Sequence, residues 1–356
     1  MEELRGRKTK TIVVGFFVLA ILFLWSVVRM RIEAGLPAWG YREGGPTSTP
    51  TLVPTSTPGP TPTALSGHPG NLESLPGAIQ RATPERQPSP FGEKIAFTSN
   101  RDGQFQVYVV NSDGGGLLAL TDESNGARVL GWTRAGWMAV TMWPDGEPVV
   151  YTMNAEGRER TAVAGLPADG LHYAWTVDGR YVAVSRSVGG NLDIFLMQYD
   201  GSQQSAVASS PKRESQPSWS PDGDRLVFVS DRDQRKGELY IVNRDGAGLA
   251  RLTDDDLAES DPAWSPGGNY IAFVAGAASG QGGDIFIVET DGSDPQQLTD
   301  DGSEKRHPVW SPDGSCIAFQ ALVNDNWDIY VLNVAGGTVT RLTSNASDDT
   351  EPHWSP

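Results

Sequence analysis

Short apolar runs alternate with turns rich in Pro, Gly, Asp and Asn over the last three quarters of the chain. Three stretches show the pattern best: QPSWSPDGDRLVFVS (216–230), DPAWSPGGNYIAFVA (261–275) and HPVWSPDGSCIAFQA (307–321). Each is followed by a second apolar run and then by a short RLT or QLT segment. Apolar runs of this length, bounded by turn residues, predict β-strands.

Tryptophan marks the period of this pattern. The phased residues are Trp132, Trp175, Trp219, Trp264, Trp310 and Trp354, with separations of 43, 44, 45, 46 and 44 residues. A repeat of this length with four short strands is typical of one blade of a β-propeller. The spacing therefore predicts stacked blades, each of which buries its faces against its neighbours.

The turns and aromatic residues fit this interpretation. In Ser-Pro-Asp-Gly, proline fixes one backbone angle and glycine accepts a positive φ, so the strand that carries Trp reverses into the next strand. The third strand of each repeat also carries an aromatic residue: Tyr108, Tyr151, Phe195, Tyr240, Phe286 or Tyr330. We expect these aromatic residues and the phased tryptophans to pack between blades.

The first repeat, at 89–99, lacks a tryptophan strand, whereas the chain ends in a tryptophan strand with no continuation, EPHWSP. The two halves complete one blade if the C-terminal strand pairs beside residues 93–99. That pairing closes the ring and removes the exposed sheet edges of an open array. The predicted fold is all-β, a six-bladed propeller of four-stranded blades over residues 91–356.

The pattern PxWSPDGxxIAF…IYVxNxDGxxxxRLT resembles the WD40-like (PD40-type) repeat of the TolB family. The resemblance implies an extracytoplasmic propeller that binds other proteins at its channel mouth. That family carries an α/β domain after a cleaved signal, whereas this chain has an apolar run and a Pro/Thr-rich stretch there. The family's specific partners therefore do not carry over, and the repeats at 131–136 and 174–179 depart from the pattern.

Residues 11–28 form an uncharged apolar run of 18 residues. A helix of this length spans ~27 Å, about the thickness of the hydrocarbon core of a bilayer. A cleaved signal peptide is the alternative, but its apolar region is usually shorter and a cleavage site follows it. We predict a single-pass anchor at 11–30. The basic residues before it outnumber those after it, which favours a cytoplasmic tail at 1–10 and an extracytoplasmic propeller.

Residues 31–90 are rich in Pro, Thr, Ser and Gly and are predicted to be a disordered, semi-rigid linker. The chain carries a net charge of −16, and residues 1–31 contribute +4, so the remainder carries −20. This charge argues against nucleic acid and anionic lipid surfaces as partners. No G-x-S-x-G motif occurs. We therefore expect a monomeric binding module without a cofactor, not an enzyme, with a protein, peptide or glycan partner.

The innermost strand of each blade lines the channel, so the residues three positions before each tryptophan are predicted to form a ring at one mouth. They are Val129, His172, Gln216, Asp261, His307 and Glu351. We expect Arg306 to add a basic corner to this binding ring, and Glu214, Glu259, Lys305 and Asp349 to lie on the same face.

Two further interpretations of the ring remain open. In the first, the ring is a polar, water-filled channel mouth. In the second, Asp261, His307 and Glu351 hold a divalent metal. The metal would make the protein a metal-dependent propeller lyase or hydrolase that uses the histidines and carboxylates of the mouth.

Overall fold

The computed structural model describes residues 94–133, 136–163, 165–167, 170–233, 237–276 and 283–356. The predicted tail (1–10), anchor (11–30) and linker (31–90) lie outside these residues. Within the described ranges, no helix is long and apolar enough to cross a membrane. The described residues from 94 onwards form strands and turns.

Twenty-four strands in this part of the chain form six four-stranded antiparallel sheets, each of which runs from an innermost strand at the channel to an outermost strand. In that order, blade 1 consists of β24 (Asp349–Trp354), β1 (Lys94–Ser99), β2 (Gln106–Asn111) and β3 (Leu118–Ala119). Blade 2 consists of β4 (Ala127–Trp132), β5 (Met138–Met142), β6 (Val149–Met153) and β7 (Thr161–Ala162). Blade 3 consists of β8 (His172–Trp175), β9 (Tyr181–Val188), β10 (Asn191–Gln198) and β11 (Ser205–Ala208).

The best-matching repeats form the other three blades. Blade 4 consists of β12 (Glu214–Trp219), β13 (Arg225–Ser230), β14 (Glu238–Asn243) and β15 (Ala250–Arg251). Blade 5 consists of β16 (Ala258–Trp264), β17 (Tyr270–Gly276), β18 (Asp284–Glu289) and β19 (Gln296–Gln297). Blade 6 consists of β20 (Glu304–Trp310), β21 (Cys316–Val323), β22 (Asn326–Asn333) and β23 (Val339–Arg341). The prediction of six four-stranded blades is confirmed.

The C-terminal strand closes the ring as predicted. In blade 1, β24 pairs antiparallel with β1, so that Trp354 lies opposite Ile95. Beyond the strand, the backbone N–H of Ser355 donates to the carbonyl oxygen of Lys94 at 2.7 Å, and the Lys94 N–H donates to Ser355 Oγ at 3.1 Å. Blade 1 therefore contains both ends of the described chain.

Six hydrophobic clusters make up the core, and each joins two successive blades. The tryptophans at the ends of β12, β16, β20 and β24 are only 7% exposed. Two of these indoles also tie the blades together: Trp219 Nε1 donates to the carbonyl oxygen of Ala174 in blade 3 at 2.9 Å. Trp310 Nε1 donates in the same way to Ala263 in blade 5 at 3.1 Å. The predicted packing of tryptophan between blades is confirmed.

In blades 1, 5 and 6 the third-strand aromatic stacks on a buried phenylalanine of the neighbouring second strand. Tyr108 and Phe97 have ring centroids 5.9 Å apart, and Phe319 and Tyr330 have centroids 5.8 Å apart. Tyr108 also belongs to the cluster that joins blades 6 and 1. These phenylalanines matter for the site, because each lies opposite an irregularity in the innermost strand.

Candidate functional site

A cavity of about 370 Å³ runs along the inner strands of all six blades. Burial alternates along these strands as the period of a β-strand requires. In β12, Gln216 and Ser218 are partly exposed, whereas Pro217 and Trp219 are buried. The same alternation holds in β16, β20 and β24. The residues three and one positions before each tryptophan therefore line the cavity.

Four residues of the predicted ring have left-handed backbone conformations. Their φ values are 55° for Gln216, 51° for Asp261, 50° for His307 and 56° for Glu351. Such values are uncommon for residues other than glycine, and each of these residues also precedes a proline, which further restricts its backbone. Each such residue costs about 1–3 kcal/mol, and it persists only where its surroundings fix it.

A β-bulge produces this conformation. In blade 4, Ser215 pairs with Val229 and Ser218 pairs with Val227, so Gln216 and Pro217 together lie opposite one residue, Phe228. Blades 5, 6 and 1 have the same irregularity. Proline has no N–H to contribute to the ladder, which favours a bulge at this point. The bulge turns the residue before proline towards the channel.

Hydrogen bonds from the preceding blade hold the ring in place. The backbone N–H of each ring residue outside blade 3 donates to a side-chain oxygen of the blade before it. The pairs are Val129 to Thr98 (3.2 Å), Gln216 to Ser185 (3.1 Å), Asp261 to Gln216 (3.2 Å), His307 to Asp261 (3.3 Å) and Glu351 to Gln320 (2.8 Å). The ring is therefore organised before any ligand arrives.

The ring side chains form two separate groups. Gln216 Nε2 donates to Asp261 Oδ1, and His307 Nδ1 lies 3.8 Å from the same oxygen. Glu351 instead accepts from Thr98 Oγ1 at 2.9 Å and lies 3.4 Å from Arg128. In the described part of the chain, no group of three or more His, Cys, Asp or Glu side chains is placed to hold a metal ion. The three candidate metal ligands are thus separated, because Asp261 and His307 lie in the first group and Glu351 lies in the second.

Histidines 172, 307 and 353 all line the cavity. Burial lowers the pKa of His172 and the pKa of His353 to about 4, so both imidazoles are neutral at pH 7. His172 lies in a regular part of the ladder opposite Ser185, and its buried Nδ1 has no hydrogen-bond partner. Sequence reasoning missed His353, although strand alternation could have identified it as the residue directly before a phased tryptophan.

Arg306, the predicted basic corner, is not among the residues that line the cavity. Its Nε donates to Glu304 at 2.7 Å, and its guanidinium lies 5.6 Å from the centre of the Trp327 ring. About half of the Arg306 side chain is exposed. It directly precedes His307 in β20 but contacts Glu304 and Trp327 instead of the cavity.

The prediction that the flanking charges decorate the mouth is wrong. Glu214, Glu259, Lys305 and Asp349 are all 0–2% exposed. They lie five positions before the tryptophans, where the intervening bulge reverses the pleat and turns them into the interior. Three have ionic partners within 3 Å: Arg232 for Glu214, Asp284 for Lys305 and Arg101 for Asp349.

Blades 2 and 3 give the other side of the cavity an apolar character. Leu130 and Tyr173 stand where the other blades have proline, and Leu171 and Trp175 also line the cavity. Leu171 is 62% exposed, so it presents an apolar surface at the cavity. The mouth thus presents amide, carboxylate and imidazole groups on one side and aliphatic and aromatic groups on the other.

Residues 132–306 match the family model described as the TolB beta propeller domain. This stretch, just under half of the chain, is similar to a TolB-type β-propeller domain. A curated relative, the Protein TolB homolog of Chlorobium luteolum, is 32% identical over 175 residues, which cover 47% of this chain and 39% of the relative. The chain therefore spans about two fifths of the relative's length. The resemblance to TolB repeats is confirmed.

Solved structures share the fold. TolB from Acinetobacter baumannii has a TM-score of 0.63 at 20% identity, covering 76% of this chain and 68% of that chain. An oligogalacturonate lyase in complex with manganese has a TM-score of 0.50 at 16% identity, covering 70% of this chain and 73% of that chain. At these identities the likeness extends to the propeller fold alone.

Proposed function

We propose that this protein is a membrane-anchored extracytoplasmic binding protein whose channel mouth engages a protein partner. Residues 11–30 are the anchor, 31–90 the linker, and His172, Gln216, Asp261, His307 and Glu351 the binding ring, with Arg306 next to His307 in the sequence. The strained, preorganised ring carries this proposal. Four polar residues sit in left-handed conformations and project towards a cavity, which is the kind of backbone strain that clusters at ligand-binding sites.

The two-sided mouth favours a protein or peptide over a small polar ligand. An exposed leucine and half-buried aromatic residues on one side would bury apolar side chains, and the polar side would fix their orientation. A peptide segment that enters the mouth offers apolar side chains for the apolar side and polar groups for the polar side. A glycan offers mainly polar groups.

Photo-crosslinking in cells tests the mouth. A photoreactive amino acid replaces Arg306, which directly precedes His307 and has a half-exposed side chain, or Asp224, whose side chain is 69% exposed and lies beside the turn between β12 and β13. We expect a discrete crosslinked protein from the Arg306 position and none from the Asp224 position. Equal adducts from both positions, or none from Arg306, would count against the proposal.

Fractionation tests the anchor. Deletion of residues 1–30 should move the protein from the membrane fraction to the soluble fraction, and the full chain should resist carbonate extraction. Protease added to spheroplasts, in which only the cytoplasmic membrane is intact, should degrade the propeller of the full chain. Protection of the propeller in spheroplasts would place it in the cytoplasm and overturn the extracytoplasmic part of the proposal.

The metal-dependent lyase or hydrolase is the weaker alternative. Asp261 and His307 are neighbours, but Glu351 is engaged by Thr98 and Arg128. Elemental analysis of protein purified without chelators distinguishes the two functions. A stoichiometric divalent metal that disappears in His307→Ala, together with activity, would favour the enzyme.

A further inference from the structure

A second groove, separate from the channel, lies at the edge of blades 1 and 2. It has a volume of about 460 Å³ and is lined by Gln104, Phe105, Ser124, Asn125, Gly126, Arg128, Trp143 and Gly146. Three connections build it: the β1–β2 loop, the link from β3 to β4 and the β5–β6 loop. Arg128 lines the groove and also contacts Glu351 of the ring, so the groove adjoins the channel mouth.

The two aromatic residues of this groove depart from the propeller repeat. Trp143 directly follows the second strand of blade 2, where blades 1 and 4 have Asn100 and Asp231. Trp143 is only half buried, and none of the hydrophobic clusters includes it. Packing of the propeller therefore gives no reason for a tryptophan at this position.

Phe105 departs from the repeat in the same way. It directly precedes the third strand of blade 1, where blades 4 and 5 have Gly237 and Gly283. A Cβ atom at Gly237 would lie 2.5 Å from the carbonyl oxygen of Glu259, and at Gly283 it would lie 2.3 Å from that of Ala275. At this position blades 4 and 5 therefore leave no room for a side chain, whereas blade 1 accommodates the aromatic ring of Phe105.

Hydrogen bonds fix the shape of the groove. Asn125 Nδ2 donates to the carbonyl oxygen of Trp143 at 2.8 Å, which joins the two sides. The N–H of Ala127 donates to the carbonyl oxygen of Phe105 at 2.7 Å. The Arg128 guanidinium lies 4.8 Å from the centre of the Phe105 ring and holds that ring from one side. The groove is therefore formed without a ligand.

We infer that this groove binds a neutral pyranose saccharide. The face of an aromatic ring is electron-rich and attracts the polarised C–H bonds on one face of a sugar ring, and Trp143 and Phe105 supply two such rings. Gln104, Ser124 and Asn125 are exposed and supply amide and hydroxyl groups for the sugar hydroxyls. The volume lies in the range of small-molecule sites.

Charge favours a neutral sugar over an anionic one. None of the lining residues is acidic, but Asp145 and Glu147 are exposed on the same loop as Trp143. The one cation among the residues that line the groove, Arg128, already contacts Glu351 and the Phe105 ring. A polyuronate would meet the two loop carboxylates without a free cation from this lining to offset them.

Titration of the full chain with cellotetraose, maltotetraose, chitotetraose and tetragalacturonate tests the inference by calorimetry and tryptophan fluorescence. We expect at least one neutral tetrasaccharide to bind, with Trp143→Ala and Phe105→Ala each weakening its affinity by about tenfold or more. Tyr199→Ala is the matched control, because Tyr199 is 58% exposed and lies outside the groove. This control should bind like the wild type.

Melting curves of all variants show whether the propeller is intact. The inference is wrong if no neutral saccharide binds at millimolar concentration, or if only tetragalacturonate binds. It is equally wrong if a folded Trp143→Ala variant binds with unchanged affinity, or if Asp261→Ala abolishes saccharide binding while Trp143→Ala leaves it intact. That last result would move the sugar site into the channel.

Discussion

Glu259→Gln should make the propeller less sensitive to alkaline pH. Glu259 is 2% exposed at the junction of blades 4 and 5. Its Oε2 accepts from Thr253 Oγ1 at 3.1 Å, and its side chain also shares a hydrogen bond with Asp255. Burial, with the nearby carboxylates Asp255 and Glu238, raises the pKa of Glu259 to about 10. The carboxyl group is therefore protonated in the folded protein at pH 7.

The sign of the effect follows from proton linkage. In the unfolded chain Glu259 ionises near its ordinary pKa, so unfolding at neutral pH releases a proton. The free energy of unfolding then falls as pH rises, by about 1.4 kcal/mol per pH unit, until pH reaches the folded-state pKa. Glutamine cannot ionise, so between pH 7 and 9 the wild type should lose about 3 kcal/mol relative to Glu259→Gln.

Urea unfolding followed by tryptophan fluorescence at pH 7, 8 and 9 measures this difference. Glu156→Gln, at an exposed position, is the control and should run parallel to the wild type. If the wild type and Glu259→Gln show the same pH dependence across this window, Glu259 is ionised in the folded protein. The account of this junction would then be refuted.

Three other predictions concern the cavity and the ring. In NMR titrations the ring protons of His172 and His353 should show midpoints near pH 4, because burial disfavours the charged imidazole; a midpoint near 6.5 would show that water reaches these rings. Trp219→Phe should lower the free energy of unfolding in urea by at least about 1 kcal/mol through loss of the hydrogen bond to blade 3, and no loss would mean that water replaces this bond. Asp349→Ala should cost about 3–5 kcal/mol by the same measurement, since it leaves Arg101 without its buried partner on the closing strand, and a cost under about 1 kcal/mol would contradict this role.

The fold could be predicted from the sequence because a few large residues recur once in each blade. Trp219 and Trp310 both fill an interface between blades and donate a hydrogen bond across it. The spacing of such tryptophans along the chain therefore gives the length of one blade. The closing strand was also predictable, since a lone tryptophan strand at 351–356 matched a repeat that lacked one.

The site was harder to predict, because side-chain direction depends on local backbone geometry. Strand alternation counted from Trp310 would place Lys305 on the opposite face, but the bulge at His307-Pro308 reverses the phase, so that Lys305 is 1% exposed beside Asp284. Charge alone suggested a surface residue. The dipeptide of each bulge, such as His307-Pro308, was visible in the sequence, but the left-handed conformation of His307 arises only in the folded sheet, where the two residues lie opposite Phe319.

The yield of crosslinked partner at the mouth, measured with the ring intact and with the ring altered, tests the proposed binding role most directly. With the photoreactive residue at position 306, Asp261→Ala or Gln216→Ala should reduce the yield by about tenfold or more at unchanged melting temperature, because both side chains form the polar side of the mouth. The same yield with and without these side chains would contradict the claim that the ring carries binding.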